Sequence, residues 1–307
     1  MVVKYDFTFA NLVNDYLQNR ISKKELLSML DGAEASEVMY KHAMAFNTGY
    51  PIDSKTEFID YLLQLTSERI QGLSHYENAI NYAKEHVADS KVAEKIALEY
   101  LPEDFVFSGT LYFVCGYGSV AYGQDCCIDL ADVDLMNNPN EIKCLAIHEL
   151  HHVGFIAVKD GYMPAPQSIK TYGDVANIIE YMTHLEGMGT YAPLATFERN
   201  LIDKPSESII ANDYRILRDD NLLIQYEEEY FGIYSRFRNN PDNLLAEADL
   251  HKISAMSGNR RLWYIVGAHM AKTIDEVLGR HKLINTIAEQ SSGFVAAYLD
   301  AKKLSTN

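Results

Sequence analysis

Apolar residues recur at mixed three- and four-residue spacing through the first hundred positions, as they do on the buried face of a helix. The turn signals Asp31-Gly32 and Asn47-Thr48-Gly49 interrupt this spacing. The pattern predicts that residues 1–100 form an N-terminal helical region. Within it, helices are predicted at Asn11–Leu17, Lys23–Leu30, Ser54–Gln71 and Val92–Tyr100.

Aromatic and β-branched residues replace this pattern after Leu101-Pro102. Neighbouring short strands of this kind predict one small antiparallel sheet, the only sheet in the chain. Its stretch Gly109–Cys115 is predicted either to lie inside the sheet or to offer an unpaired edge to an extended peptide. The extended segments are Phe105–Cys115, Ser119–Tyr122 and Cys127–Leu130, and Gly116-Tyr117-Gly118 separates the first from the second.

Helical spacing returns after the turn at Asn137–Asn140, where Glu141 suits the first turn of a helix. That helix is predicted to run to about Val158, before Asp160-Gly161 and Pro164. Later helices are predicted from Asp174 to Gly187 or beyond, and at Asp213–Phe237, Asn243–Met256, Arg261–Leu278 and Ser292–Lys303. The expected fold class is α+β and predominantly α, with residues 101–307 as a core that packs with residues 1–100 in one compact unit.

Composition narrows the classes of function. Hydrophobic residues make up 48% of the 307, which suits a globular chain, and the formal net charge of −16 argues against nucleic acid and anionic membrane surfaces as partners. Four cysteines without a C-x-x-C spacing favour a reducing compartment over a disulfide scaffold. The amino terminus lacks the pattern of a signal peptide, and no apolar run reaches the roughly 18 residues of a membrane helix. We expect a cytoplasmic protein.

One stretch carries the most specific chemistry. His148-Glu149-Leu150-His151-His152 lies inside a predicted helix and fits the pattern H-E-x-x-H. Histidines four residues apart lie on one helical face, with Cβ atoms roughly 5–6 Å apart, so both imidazoles can reach one metal ion. Glu149 projects from the adjacent face, where it can act on a water without binding the metal. The pattern is typical of zinc hydrolases, most often peptidases.

A catalytic zinc site uses three protein ligands and one water, so the chain must supply a third group. In one known type of site the third ligand is a histidine six residues after the second histidine, and a glycine lies three residues after that second histidine. Here Phe155 and Val158 occupy the glycine and histidine positions. Another source is the sequence G-T-x-x-D, and Gly189-Thr190-Tyr191-Ala192-Pro193 ends in proline instead. The source that remains is a glutamate on a following helix.

Two glutamates on the helix predicted from Asp174 compete for this place, Glu186 and Glu180. They are six residues apart, about 240° around a helix, so they cannot both face one ion. Glu186 is preferred because Gly187 and Gly189 would let its helix approach the histidine helix closely. The competing interpretation is that Gly187 ends the helix.

The H-E-x-H-H sequence at residues 148–152, followed after 34 positions by the E-G segment Glu186–Tyr191, resembles the gluzincin-type families of predicted zinc-dependent proteases. The segments Gly109–Tyr122 and Trp263–Ala268 also resemble their layout, so the likeness spans roughly residues 100–300. Its specific element is H-E-x-x-H. The resemblance implies a zincin-like core with surrounding helices, a bound Zn²⁺ ion and peptide hydrolysis.

The predicted mechanism gives each residue a role. The zinc ligands are His148, His152 and Glu186, and Glu149 is the general base. Arg261 and Tyr264, three residues apart on one helical face, are the predicted catalytic residues that stabilise the oxyanion, with His269 and Tyr191 as rivals. His151 is predicted to be packed, although it could also bind the metal or support a ligand. Cys144 is predicted to be a buried apolar thiol, with zinc binding as its alternative.

Two classes of function therefore remain. The first is a zinc-dependent metallopeptidase of gluzincin type that acts on a peptide or protein substrate. The second is a non-proteolytic zinc-binding protein, in which a fourth protein ligand such as His151 or Cys144 closes the site. Neither the substrate nor the oligomeric state follows from the sequence.

Overall fold

The computed structural model describes residues 3–46, 49–70, 72–159, 168–194, 208–246, 249, 252–253, 256–258 and 260–305. It is 70% helical with one small sheet of four strands, which confirms the predicted α+β, predominantly α class. The predicted turn residues Asn47-Thr48, and Asp160-Gly161 and Pro164, lie outside the described residues.

The chain divides into two compact units. The first comprises Met1–Ala97 and Val106–Gly154, and the second Leu98–Phe105 and Phe155–Asn307. The predicted division near residue 100 stays a prediction.

The helices before residue 159 include every one that the apolar spacing predicted there. Local sequence explains where they begin; the Ser22 hydroxyl, for example, accepts from the backbone N–H of Glu25, whose side chain accepts from Ser22 in return. The helices are α1 (Thr8–Leu17), α2 (Lys23–Asp31), α3 (Glu34–Phe46), α4 (Lys55–Arg69), α5 (Leu73–Ala83, continued by a π-helical stretch at Lys84–Asp89), α6 (Val92–Leu98), α7 (Val133–Asn137) and α8 (Asn140–Val158).

The sheet is mixed, so the antiparallel prediction was wrong for two of its three pairings. The strands β1 (Lys4–Asp6), β2 (Thr110–Val114), β3 (Val120–Tyr122) and β4 (Asp125–Asp129) lie in the order β1-β2-β4-β3. The β1–β2 and β2–β4 pairs are parallel, and only β3–β4 is antiparallel. Residues 115–119 connect β2 to β3, which are not neighbours in the sheet. The next strand, β4, lies between them and pairs with both. The stretch Gly109–Cys115 is therefore an interior strand, and β3 lies at the edge.

A buried carboxylate holds the turn between β2 and β3. One oxygen of Asp129 accepts from the backbone N–H groups of Gly116 and Ala131, each at 2.9 Å, and the other accepts from Arg69 at 2.9 Å. Burial raises the pKa of Asp129 from 3.8 to about 6. Gly116 has a φ of 83°, and a Cβ there would lie 2.4 Å from the carbonyl oxygen of Leu62. Only glycine fits this turn.

The helices after residue 168 match the predictions in part. The segment predicted as one helix over Asp213–Phe237 is two, because the Asp219 side chain caps a new start by accepting from Asn221 and Leu222. Residues 243–246 are not helical, since Leu244 bridges to Thr171, and most of the remaining prediction to Met256 lies outside the described residues. The helices are α9 (Tyr172–Tyr191), α10 (Ile209–Ile216), α11 (Asp220–Arg238), α12 (Leu262–Leu278), α13 (Arg280–Ala288) and α14 (Ser291–Ser305).

No helix in the described ranges has both the length and the apolar character needed to cross a bilayer.

Candidate metal centre

Helix α8 brings the two predicted histidine ligands together. His148 and His152 stand one turn apart, with ring centroids 4.2 Å from each other and ring planes at 65°. His152 is buried and His148 is half-buried. Helix α8 was predicted to end near Val158, and this is confirmed.

The residue between them, Glu149, is also buried. Its carboxylate lies near the thiols of Cys126 and Cys127 on β4. Burial raises the pKa of both thiols well above the usual range, and the negative charge of Glu149 raises it further. Glu149 therefore lies on the side of α8 that approaches the sheet. The neighbouring thiols remain uncharged, so they add no second negative charge beside it.

The last turn of α8 packs on α9. The ring of Phe155 contacts Tyr181 edge-on at 5.8 Å between centroids, and His184 at 4.8 Å. His184 is itself a core histidine: it stacks on Phe294 at 4.2 Å, and its Nε2 lies 3.0 Å from the hydroxyl of Thr286. These contacts hold α9 in place through its middle turns.

Helix α9 carries Glu186, buried to 8% exposure, and continues past Gly187 to Tyr191. The interpretation of Gly187 as a helix end is thus wrong. Gly187 packs on Gly267 of α12, where a Cβ on Gly187 would lie 2.4 Å from the Gly267 carbonyl carbon. The glycine therefore allows close packing of α9 with α12, and the expectation that Gly187 and Gly189 allow a close approach to the histidine helix stays a prediction.

Three potential ligand atoms converge. One ring nitrogen each of His148 and His152 and one carboxylate oxygen of Glu186 all lie within 4.8 Å of one another. Donor atoms around a tetrahedral zinc ion, at bond lengths near 2.1 Å, stand about 3.4 Å apart, so small side-chain movements would close the set around an ion. Two imidazoles and one carboxylate are also the ligand types that zinc takes in catalytic sites.

The other candidate third ligand is engaged elsewhere. Glu180 accepts a hydrogen bond from the Tyr234 hydroxyl at 2.6 Å and lies 3.7 Å from Nε of Arg238. Both partners lie on α11. Glu180 therefore faces α11 and is not part of the converging group.

Two further candidates on α8 are buried. His151 is fully buried, as a packed residue would be. Burial raises the pKa of the Cys144 thiol to about 12, so it is protonated at neutral pH and a poor zinc ligand. Neither residue belongs to the converging group.

The residues predicted to stabilise an oxyanion have clear neighbours in the second unit. Nε of Arg261 donates to both carboxylate oxygens of Asp213, and the guanidinium lies over the ring of Tyr264. The rival Tyr191 donates its hydroxyl to Asp275 at 2.7 Å. The other rival, His269, contacts the ring of Tyr298 edge-on at 5.7 Å between centroids. The catalytic role of Arg261 and Tyr264 stays a prediction.

Sequence reasoning missed Gly267 and Asp213. Gly267 interrupts an otherwise apolar predicted helix, and such a glycine is a usable signal of close helix packing. Asp213 carries no comparable signal, since its partner Arg261 is 48 residues away.

Comparison with known proteins agrees with this chemistry. A family model matches residues 10–306, which is nearly the whole chain and includes α8, α9 and α12. No curated protein and no solved structure matches the chain significantly. The chain therefore belongs to the family that this model describes, "Putative zinc dependent peptidase (DUF5700)".

Proposed function

We propose that this protein is a zinc-dependent metallopeptidase of gluzincin type, with His148, His152 and Glu186 as the zinc ligands. The observation that carries the proposal is the convergence of their three donor atoms within 4.8 Å. Two histidines and one glutamate would supply the three protein ligands that a catalytic zinc site uses together with a water.

A zinc ion at this position supplies Lewis-acid chemistry: it polarises the scissile carbonyl and makes a water more acidic. The Glu149 carboxylate takes the proton of the attacking water and passes it to the departing amine nitrogen. Its place one residue after His148 puts it beside the ligands without competing with them.

Tyr264 and Arg261 are proposed to support the oxyanion. Tyr264 lies three residues before Gly267, hence about 4.5 Å along α12 from the crossing with α9. Its hydroxyl is a donor of the type that stabilises a developing negative charge. Arg261 stacks on its ring at 3.6 Å from the ring centre and would hold the phenol in one orientation.

An extended substrate would bind along β3. This strand pairs only with β4 among the described residues, so its outer edge offers backbone groups for strand addition. Its neighbour β4 carries Cys126 and Cys127, whose thiol pKa values are raised in part by the charge of Glu149. Gly109–Cys115 itself pairs on both sides as an interior strand, so the edge proposed for the substrate is that of β3.

Hydrolysis of an unfolded protein such as casein tests the proposal, with wild type, chelator-treated wild type and Glu149→Gln in parallel. We expect activity that is lost on chelation, restored by zinc, and lowered at least about 100-fold in Glu149→Gln while zinc content is unchanged. Full activity in Glu149→Gln would exclude Glu149 as the base. An inactive wild type whose cobalt-substituted form shows four protein ligands would favour the non-proteolytic zinc site.

A further inference from the structure

Arg261, the residue before α12, is held in an unusual backbone conformation. Its φ of 46° and ψ of 41° lie in the left-handed region, which non-glycine residues rarely adopt. Its Nε donates to the two oxygens of Asp213 at 3.0 and 2.8 Å, and its guanidinium carbon lies 3.6 Å from the centre of the Tyr264 ring. The backbone, the ion pair and the ring together fix the guanidinium. Asn19 and Lys91 have a similar φ, but neither is described with both an ion pair and a stacked ring.

The anchor of this guanidinium is itself rigid. The Asp213 side chain is only 3% exposed. It belongs to α10, which is tied to α9 by a hydrogen bond of 2.6 Å from the Tyr214 hydroxyl to the carbonyl of Thr190. Asp213 therefore positions Arg261 from a packed helix and not from a loop.

Among the residues that the structure describes, the outer edge of the Arg261 guanidinium contacts no acceptor. Neither terminal nitrogen has a hydrogen-bond partner in the described part of the chain, and the side chain is 24% exposed. Arg260 and Arg280 differ, since each uses Nε and a terminal nitrogen on one carboxylate, that of Glu229 and of Asp275 respectively. Two parallel N–H groups of an arginine match the two oxygens of a carboxylate.

A second donor in this turn lacks an acceptor. The indole Nε1 of Trp263 is buried and has no hydrogen-bond partner among the residues described. Buried indole N–H groups usually have one. Within the described ranges, the start of α12 thus carries two donor groups, one on Arg261 and one on Trp263, that contact no acceptor.

Arg261 immediately precedes the helix that packs against Gly187, next to the proposed ligand Glu186. Arg261 lies six residues before Gly267, so about 9 Å along α12 from the point where α12 meets Gly187, the residue after Glu186. An extended peptide advances about 3.3 Å per residue. The guanidinium of Arg261 lies over the ring of Tyr264, nearer this crossing than its own backbone, so it can contact a substrate within about three residues of the proposed metal centre.

We propose that Arg261 binds a carboxylate of the substrate and selects peptides with a negative charge within about three residues of the cleaved bond. This inference rests on the proposed peptidase function, whose substrate class it specifies. The C-terminal carboxylate of a short peptide and an Asp or Glu side chain of a longer one both supply the required group. A local cation is needed to hold an anion in a chain of net charge −16.

Binding of three dansyl-labelled peptides to the zinc-loaded Glu149→Gln protein tests this proposal without turnover. The peptides are penta-alanine with a free C-terminus, penta-alanine amide, and the same amide with one alanine replaced by glutamate. We expect at least one carboxylate peptide to bind about tenfold tighter than the plain amide, as a charge-assisted hydrogen-bonded pair would give. Preference for the free acid assigns the C-terminus, and preference for the glutamate amide assigns a side chain.

Substitutions of Arg261 and Arg260 in the Glu149→Gln protein test whether Arg261 causes the preference for carboxylate peptides. In Arg261→Gln the ratio of the amide and acid dissociation constants should fall about tenfold, whereas Arg260→Gln should keep it, because Arg260 is already paired with Glu229. Arg261→Lys keeps the charge without the two-nitrogen edge and should lose most of the preference. It also carries the test if Arg261→Gln fails to fold, as judged by circular dichroism.

An unchanged ratio in both Arg261 variants would overturn the proposal, as would equal binding of all three peptides to the parent. Zinc content and hydrolysis by wild type separate this inference from the proposed function. A zinc-loaded, active enzyme without carboxylate preference rejects only the role of Arg261. An Arg261-dependent preference in a chain that binds no zinc supports this subsite and contradicts the peptidase.

Discussion

Gly187 of α9 and Gly267 of α12 meet backbone against backbone. A Cβ on Gly267 would lie 2.4 Å from the carbonyl oxygen of Thr183 and 2.6 Å from Cα of Gly187, so no side chain fits at the crossing. Because Glu186 precedes Gly187, the same contact sets the position of the proposed third zinc ligand. Packing in the helical core and placement of the metal ligand are therefore coupled.

Substitution of Gly267 by alanine should disturb both properties. The overlap with backbone atoms cannot be relieved by a side-chain rotation, so we expect Gly267→Ala to lower the free energy of unfolding by at least about 2 kcal/mol. Zinc affinity should fall as well, because Glu186 moves with its helix. Urea unfolding and a zinc titration measure the two effects.

Gly232 on α11 provides the matched control. A Cβ there meets nothing within 4 Å, so Gly232→Ala should raise the free energy of unfolding by about 0.5–1 kcal/mol through helix propensity alone. Equal stability of Gly267→Ala and wild type would refute the tight crossing.

Asp129 should make the stability depend on pH. Burial raises its pKa from 3.8 to about 6 in the folded chain, so its stabilising contribution is complete below about pH 4 and is lost as pH rises through 6. Relative to Asp129→Asn, wild type should lose up to about 3 kcal/mol of unfolding free energy between about pH 4 and pH 7. Urea unfolding of both proteins across this range gives the difference, and a difference that stays constant or grows would contradict the raised pKa.

The four thiols should be inert in the folded chain. Cys115, Cys126, Cys127 and Cys144 are all buried, and burial raises the pKa of each thiol. Because the thiolate is the reactive form, we expect no reaction with a disulfide reagent in native buffer and four equivalents after denaturation. Rapid native labelling of any thiol would show that its surroundings differ from those described. Cys144→Ala should retain zinc, since Cys144 is not a proposed ligand.

The sequence predicted the histidine helix well because its signals are local. The turn before Asn140, the uninterrupted apolar spacing and the H-E-x-x-H pattern all act within one helix, and α8 ends at Val158 as expected. Strand direction has no such local signal: alternation looks the same in parallel and antiparallel strands, so the mixed pairing of β4 was not predicted.

The partners of α9 were harder to predict for a related reason. Helical geometry shows that Glu180 and Glu186 face different sides, but their neighbours come from distant segments. Glu180 meets Tyr234, 54 residues later, and Gly187 meets Gly267 of α12. The choice between the glutamates therefore depended on the flanking glycines, and the contact of Gly187 with Gly267 was not predicted.

The zinc content of wild type, Glu186→Gln and Glu180→Gln tests the central claim most directly. Both substitutions keep the size of the side chain and remove its charge, and only one affects a proposed ligand. The account predicts one zinc ion per chain in wild type and in Glu180→Gln, and at least about tenfold weaker zinc binding in Glu186→Gln. Wild type without zinc, or Glu186→Gln with undiminished affinity, would contradict it.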